Sequence, residues 1–222
     1  MRSSDADVLR APSMYRGLLT LTLLLPAASV HADDRADALA RAVLEAAGDP
    51  YQQRFIRFAF VVKKEGQEVL RREHVWCPQR NVVDVDGVRI SAVDGRALGD
   101  ANAAAAEKAW MAFVNDAYWI FTPAKLMDPG VNRELLEDGR LRISFAQVGL
   151  TPGDVYTLRF DEDKRLVQWD YTLQSGHEAA FSWEDYTKVG GLRVARSHHA
   201  LPKGEGISIL FEDLEVADVC PL

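Results

Sequence analysis

The sequence predicts a mainly β protein of the α+β class: a single curved antiparallel sheet, an incomplete barrel of about ten or eleven strands, with an N-terminal helix and a central helix covering its concave face. Three features point there. Apolar and polar residues alternate with period two over most of the chain, so each strand has one dry face and one wet face. Turn pairs such as Asp86-Gly87, Asp94-Gly95 and Asp138-Gly139 punctuate those runs. One long stretch, 101–121, switches to helical spacing with β patterns on both sides of it.

Residues 1–32 read as a secretory leader. Arg16 supplies the positive region, 18–25 is apolar apart from Thr20 and Thr22, and Val30-His31-Ala32 offers a small-residue cleavage site. That run is shorter than the roughly 20 apolar residues a bilayer span needs. The leader starts cleanly at Met14, which makes 1–13 either an upstream extension or an extended charged region. Cleavage after Ala32 leaves 33–222 as a single domain, with no cysteine at the cut to be lipidated and no later segment apolar enough to span a membrane.

Asp33-Asp34 caps a short helix over 35–47, with Leu39, Val43 and Ala46 on one face and Gly48 and Pro50 ending it. Strands follow over 54–63, 69–77, 82–86 and 88–93, the first placing Ile56, Phe58, Phe60 and Val62 on one face. Four strands in succession make a meander. The helix over 101–121 repeats Trp110, Phe113, Val114, Ala117 and Phe121 and runs into Pro123, after which 123–130 reads as a loop or short helical turn. Beyond Asn132 the alternation is at its clearest: Leu141, Ile143 and Phe145; Tyr156, Leu158 and Phe160; Val167, Trp169, Tyr171 and Leu173. Further strands are expected over 179–188, 192–201 and 207–219, the last with a β-bulge where the apolar phase slips between Phe211 and Leu214.

The net charge is −7, and the leader's three arginines against two aspartates make the mature part slightly more acidic still. Such a chain repels a nucleic-acid backbone, and it carries no basic run or RNA-binding aromatic motif. Cys77 and Cys220 are expected to pair in an oxidising compartment, with two buried thiols as the alternative; a bond between them is worth roughly 5 kcal/mol at most on chain-entropy grounds. Their spacing excludes CxxC redox chemistry.

Several segments resemble the periplasmic lipoprotein-localisation carriers, whose fold is an incomplete antiparallel barrel closed by helices over an apolar cavity. These are Phe55 to Val62, His74-Val75-Trp76, Pro78-Gln79-Arg80-Asn81-Val82 and Val93-Asp94-Gly95-Arg96. Asn115 to Trp119, Pro123 to Val131, Gly149 to Asp154 and Trp183 to Gly191 are similar to a carrier-related family of uncharacterised lipoprotein-like bacterial proteins. The resemblance implies a periplasmic location and a hydrophobic ligand. In the carriers an arginine beside a proline, at the corner after the Trp strand, helps hold the cavity lid shut. Arg80 near Pro78 is the match here, in a different order, and a surface arginine is the other reading.

The four mature histidines, His74, His177, His198 and His199, show no metal-ligand spacing; His198 and His199 must point to opposite faces, and solvated histidines are the simpler reading. No G-x-S-x-G or other nucleophile motif is present, so no catalytic residue, metal or cofactor is assigned. Asp128 and Asp154 read as turn residues. The aromatics say more. Phe58, Phe60, Trp76, Trp110, Phe113, Trp119, Phe121, Phe145, Tyr156, Trp169 and Tyr171 supply either a filled core or the lining of an apolar hollow under the helix. The leading expectation is a non-catalytic periplasmic carrier whose partner is a hydrophobic small molecule or a lipidated protein. Its ligand would lie between the sheet and the 101–121 helix, with 123–131 as rim and Arg80 and Lys125 meeting a head group. A protein-interaction module with a filled core, docking an envelope partner, is the alternative, and an envelope ester hydrolase a third.

Overall fold

The computed structural model describes residues 33–145, 153–202 and 206–222. The leader and its cleavage site, and most of the 149–154 segment, lie outside the described residues.

Helix α1 (Asp34–Ala47) begins where the carboxylate of Asp33 accepts the N–H groups of Arg35 and Ala36 at 3.1 and 3.2 Å. The other oxygen of Asp33 accepts the Leu135 N–H at 2.8 Å, tying the helix start to a strand. Those backbone donors, Leu135 first, hold its carboxyl below the usual range. The helix ends at Gly48, whose φ of +80° and close approach to Gly191 leave no room for a side chain: an added Cβ would sit 2.1 Å from the Gly191 carbonyl oxygen. Its buried stripe is Ala36, Ala40, Val43 and Ala47. The expected face of Leu39, Val43 and Ala46 is therefore rotated by about one residue. Small side chains let the helix lie close against its neighbours, while Leu39 packs only partly buried at the margin.

The strands, in chain order, are β1 (Phe55–Lys64), β2 (Gln67–Cys77), β3 (Val82–Val85) and β4 (Val88–Ser91). The 23-residue helix α2 (Ala103–Lys125) follows. Then come β5 (Val131–Leu135), β6 (Leu141–Phe145), β7 (Val155–Phe160), β8 (Leu166–Thr172), β9 (Glu178–Ser182), β10 (Thr187–Val189), β11 (Leu192–Val194), β12 (Ser197–Leu201) and β13 (Ile207–Ala217). Eleven of these form one antiparallel sheet in the order β4-β3-β2-β1-β13-β12-β9-β8-β7-β6-β5, while β10 and β11 make a separate ribbon. Two meanders are thus stitched together by the last two strands of the main sheet. β4 and β5 remain as edges, so the sheet does not close into a barrel.

Two expected strands divide. The 179–188 run leaves the main sheet at Ser182 and re-pairs as β10, and 192–201 begins as β11 before returning as β12. The breaks fall at 183–186, where Asp185 has a φ of +55°, and at 195–196; Glu184-Asp185 and Ala195 are poor strand formers, a mark that the alternation on either side masks. The bulge expected near Phe211–Leu214 is present. Ala59 pairs with Glu212 and Arg57 with Glu215, so β13 carries an extra residue there, with Asp213 at a φ of +51°. Helix α2 passes Pro123 and ends at Lys125. The Thr122 hydroxyl donates to the Tyr118 carbonyl in that last turn, where Pro123 brings no N–H of its own to the helix.

Apolar side chains gather in two clusters. One joins β1 to β4, β13 and α2 through Ile56, Phe58, Phe60, Trp76, Phe113, Phe121 and Phe211. The other joins α1 to β5 through β8 by way of Ala40, Val43, Leu141, Ile143, Leu158 and Trp169. Trp119 and Tyr171 touch both. Cys77 and Cys220 are bonded to each other, fastening the C-terminal segment to the end of β2.

Two of the histidines read as solvated are fully buried. His74 and His198 are both 0% exposed. The strand alternation of His198 and His199 holds: His198 faces inward among Trp119, Trp183 and Phe211, and His199 shares a 2.9 Å hydrogen bond with Ser208.

Candidate functional site

Helix α2 has a second stripe beside its buried one. Met111, Val114, Asn115, Tyr118 and Trp119 recur three and four residues apart and line a cavity of about 540 Å³. The opposite wall is built from strand positions that share one face: Phe145 on β6, Tyr156 on β7, and Trp169 and Tyr171 on β8. Tyr156 and Tyr171 are direct cross-strand partners, and Leu158 sits opposite Trp169. Asp128, Pro129 and Val131 form a rim, and Asp154 and Leu173 complete the described lining.

The rings are interlocked. Trp119 stacks on Trp169 at 4.7 Å; Tyr156 meets Trp169 edge-on at 4.9 Å; Phe145 stands edge-on to both Tyr156 and Tyr118. Burial pushes the hydroxyl pKa of Tyr118 and of Tyr171 upward, with Asp128 adding to the effect at Tyr118. Behind the cavity wall, burial drives His198 down to about 3, with the Ser182 backbone pulling weakly the other way. Neither ring nitrogen of His198 makes a hydrogen bond among the described residues.

A second cavity, of about 330 Å³, lies on the other flank of the helix and is lined by Tyr51, Trp76, Val93, Trp110, Phe113 and Lys125 among others. Val114 and Tyr118 border both spaces. Lys125 reaches the Tyr51 hydroxyl at 2.7 Å and Asp128 at 3.4 Å.

The aromatics singled out from the sequence therefore fall into three places. Trp119, Phe145, Tyr156, Trp169 and Tyr171 border the larger cavity, and Trp76, Trp110 and Phe113 the smaller one. Phe58, Phe60 and Phe121 border neither; they fill the core between β1 and α2, with Phe58 wedged against His74, Phe121 and Phe211. Arg80 is away from both cavities, donating to the Leu222 carbonyl and to Cys220 Sγ beside the disulfide. Strand alternation and, on α2, helical spacing set which side these aromatics take, but neither tells a packed interior from a hollow one.

Sequence reasoning missed the polar cluster that pins α2 to the sheet. Asp116, 0% exposed, accepts from Arg72 Nε at 2.7 Å, lies 2.8 Å from His74 Nε2, and takes a further bond from the Asn115 side chain at 2.9 Å. The Arg72 guanidinium lies over the Phe60 ring at 4.9 Å, and His74 stacks on Phe58. A signal was present. Arg72 and His74 occupy the apolar phase of β2 that continues to Trp76, and Asp116 falls in the buried phase of α2 beside Phe113 and Ala117.

No protein-family model and no curated protein matches the sequence. Among solved structures, the chain is similar to a LolA superfamily protein from Nitrosomonas europaea. That likeness covers 83% of this chain and 94% of the other, at 11% identity and a TM-score of 0.49. A DUF1329 family protein from Desulfovibrio piger is similar over 82% of this chain and 92% of its own, at 10% identity and a TM-score of 0.41. Among the described residues no helix is long and apolar enough to cross a membrane.

Proposed function

We propose that this chain is a non-catalytic carrier of a hydrophobic molecule, bound reversibly in the space between α2 and strands β6 to β8. The observation that carries the reading is the larger cavity itself: about 540 Å³, walled by aromatic side chains with few polar groups, within the range of small-molecule sites. Binding there is driven by apolar surface leaving water, about 0.8 kcal/mol per buried methylene before ordering costs.

The leader pattern over 1–32 and the Cys77–Cys220 bond support a periplasmic setting, with 33–222 as the mature single domain. The sequence resemblance to lipoprotein-localisation carriers points the same way. Docking of an envelope protein by a solid-cored module is favoured less, because the space under α2 is open. A hydrolase is favoured less still, since His74 is fully buried, bonded to Asp116 and stacked on Phe58, and borders neither cavity.

Native mass spectrometry of protein purified from its own cell envelope, together with titration of a fluorescent acyl probe, tests the reading. Co-purifying lipid-sized mass and saturable probe binding are expected. Absence of both, with the protein folded, overturns it.

A further inference from the structure

The carrier reading leaves the polar end of the ligand open, and the charge lining the cavity defines it. Asp128 and Asp154 are the charged residues of its described wall, with no lysine or arginine among them. Asp154 is 3% exposed and is held by two neutral donors, the Gln174 N–H at 2.9 Å and the Tyr156 hydroxyl at 3.2 Å. The neighbouring stretch 146–152 contains no lysine or arginine either. Asp128 at the rim has a cation on its far side, the ammonium of Lys125.

That lysine shows what the local chemistry accommodates. Its Nζ lies 5.1 Å from the Tyr51 ring centre and 5.6 Å from that of Tyr118, beside a carboxylate, in the smaller cavity. On the opposite flank of Tyr118 the larger cavity repeats the ingredients, aromatic faces and a carboxylate, without a cation from the described chain. An anionic head group there would face Asp154 across a water-poor space, where like charges repel strongly. A cationic one would meet negative ring faces and a carboxylate.

We propose that the larger cavity selects hydrophobic molecules that carry a positively charged amine or ammonium group, seated among Tyr118, Trp119, Tyr156 and Tyr171 beside Asp154, over matched anionic ones. This rests on the carrier reading and narrows it to a ligand class.

The test uses three probes with the same twelve-carbon chain, below their micellar concentrations: dodecyltrimethylammonium, 1-dodecanol and dodecanoate. Binding is followed by calorimetry and by the fluorescence of Trp119 and Trp169. The ammonium probe is expected to bind about tenfold tighter than dodecanoate, with the alcohol between them. Asp154→Asn is expected to weaken the ammonium probe about fivefold while leaving the alcohol within about twofold. Asp128→Asn, at the rim, moves the same way by less and decides the matter if Asp154→Asn does not fold. Val114→Trp, which fills the space, abolishes binding of the ammonium probe.

Dodecanoate binding as tightly as the ammonium probe overturns the selectivity and leaves the carrier reading standing. So does ammonium binding that ignores both aspartate substitutions in folded protein, whereas ammonium binding that survives Val114→Trp overturns the carrier reading at this cavity too. Failure of all three probes to bind overturns the carrier reading as well.

Discussion

His74 Nε2 lies 2.8 Å from Asp116 Oδ2, and neither side chain is exposed. The carboxylate belongs to α2 and the imidazole to β2, so the contact joins the central helix to the sheet, next to Asn115, which donates to Asp116 and also lines the larger cavity. Arg72 completes the cluster from the same strand face. Burying such a group costs heavily unless every partner is in place.

Asp116→Ala should therefore destabilise the protein by about 3 kcal/mol or more, since it leaves an arginine and a buried histidine without their acceptor. Asp116→Asn keeps the shape and should cost less. Chemical denaturation of the two variants beside the wild type checks this; equal stability for Asp116→Ala would mean that the cluster is not a structural anchor.

His198 makes stability depend on pH in a defined direction. Folded, it resists protonation down to about 3, whereas in the unfolded chain it titrates near 6.5. Above 6.5 the ring is neutral in both states and its contribution is fully present. As pH falls below 6.5 the unfolded chain takes up a proton that the folded chain refuses, and stability declines by up to about 1.4 kcal/mol per pH unit. Comparing unfolding of the wild type and His198→Phe at pH 6.5 and 5.0 isolates the effect: the wild type should lose about 1.5 kcal/mol more over that interval than the variant.

The Cys77–Cys220 bond spans a sequence separation of 143 and holds the C-terminal segment against the end of β2. Reduction, or a Cys77→Ala/Cys220→Ala pair, should lower stability by about 2–5 kcal/mol. Thermal melts with and without reductant measure it, and an unchanged melting temperature would show that the crosslink constrains little of the unfolded chain.

Phe58 and Tyr156 separate packing from binding. Phe58 is 0% exposed and borders neither cavity, so Phe58→Ala should cost about 3–5 kcal/mol of stability and leave affinity for an acyl probe nearly unchanged. Tyr156→Ala, on the cavity wall, should weaken the probe severalfold with a smaller loss of stability. A reversal of that pattern would move the binding site into the first cluster.

The outline of the fold was legible because it rests on local patterns. The Asp33 cap, the two-residue period of β1 and β8, the bulge in β13 and the switch to helical spacing at α2 are each written in a dozen residues or fewer. The burial of His74 and Asp116 was only half legible: both stand in apolar phases of their own elements, which is a mark of a polar anchor, but neither phase says that the two meet. Asp128 and Asp154 read as turn residues from the sequence, which did not show that both border one cavity.

By itself, then, the sequence determined the classes of element, the order of the helices and of most strands, and the dry side of the clearest strands, because sterics and side-chain period act over short distances. Tertiary structure alone decided that β13 and β12 bridge the two meanders, that the inward aromatics divide between solid core and open cavity, and that Asp154 faces a space without a basic partner from the described chain. The first depends on pairing between strands far apart in the chain, the other two on how far α2 stands off the sheet. That spacing is set by contacts between residues dozens of positions apart, such as Asp116 with His74 and Trp119 with Trp169, and no local pattern encodes it.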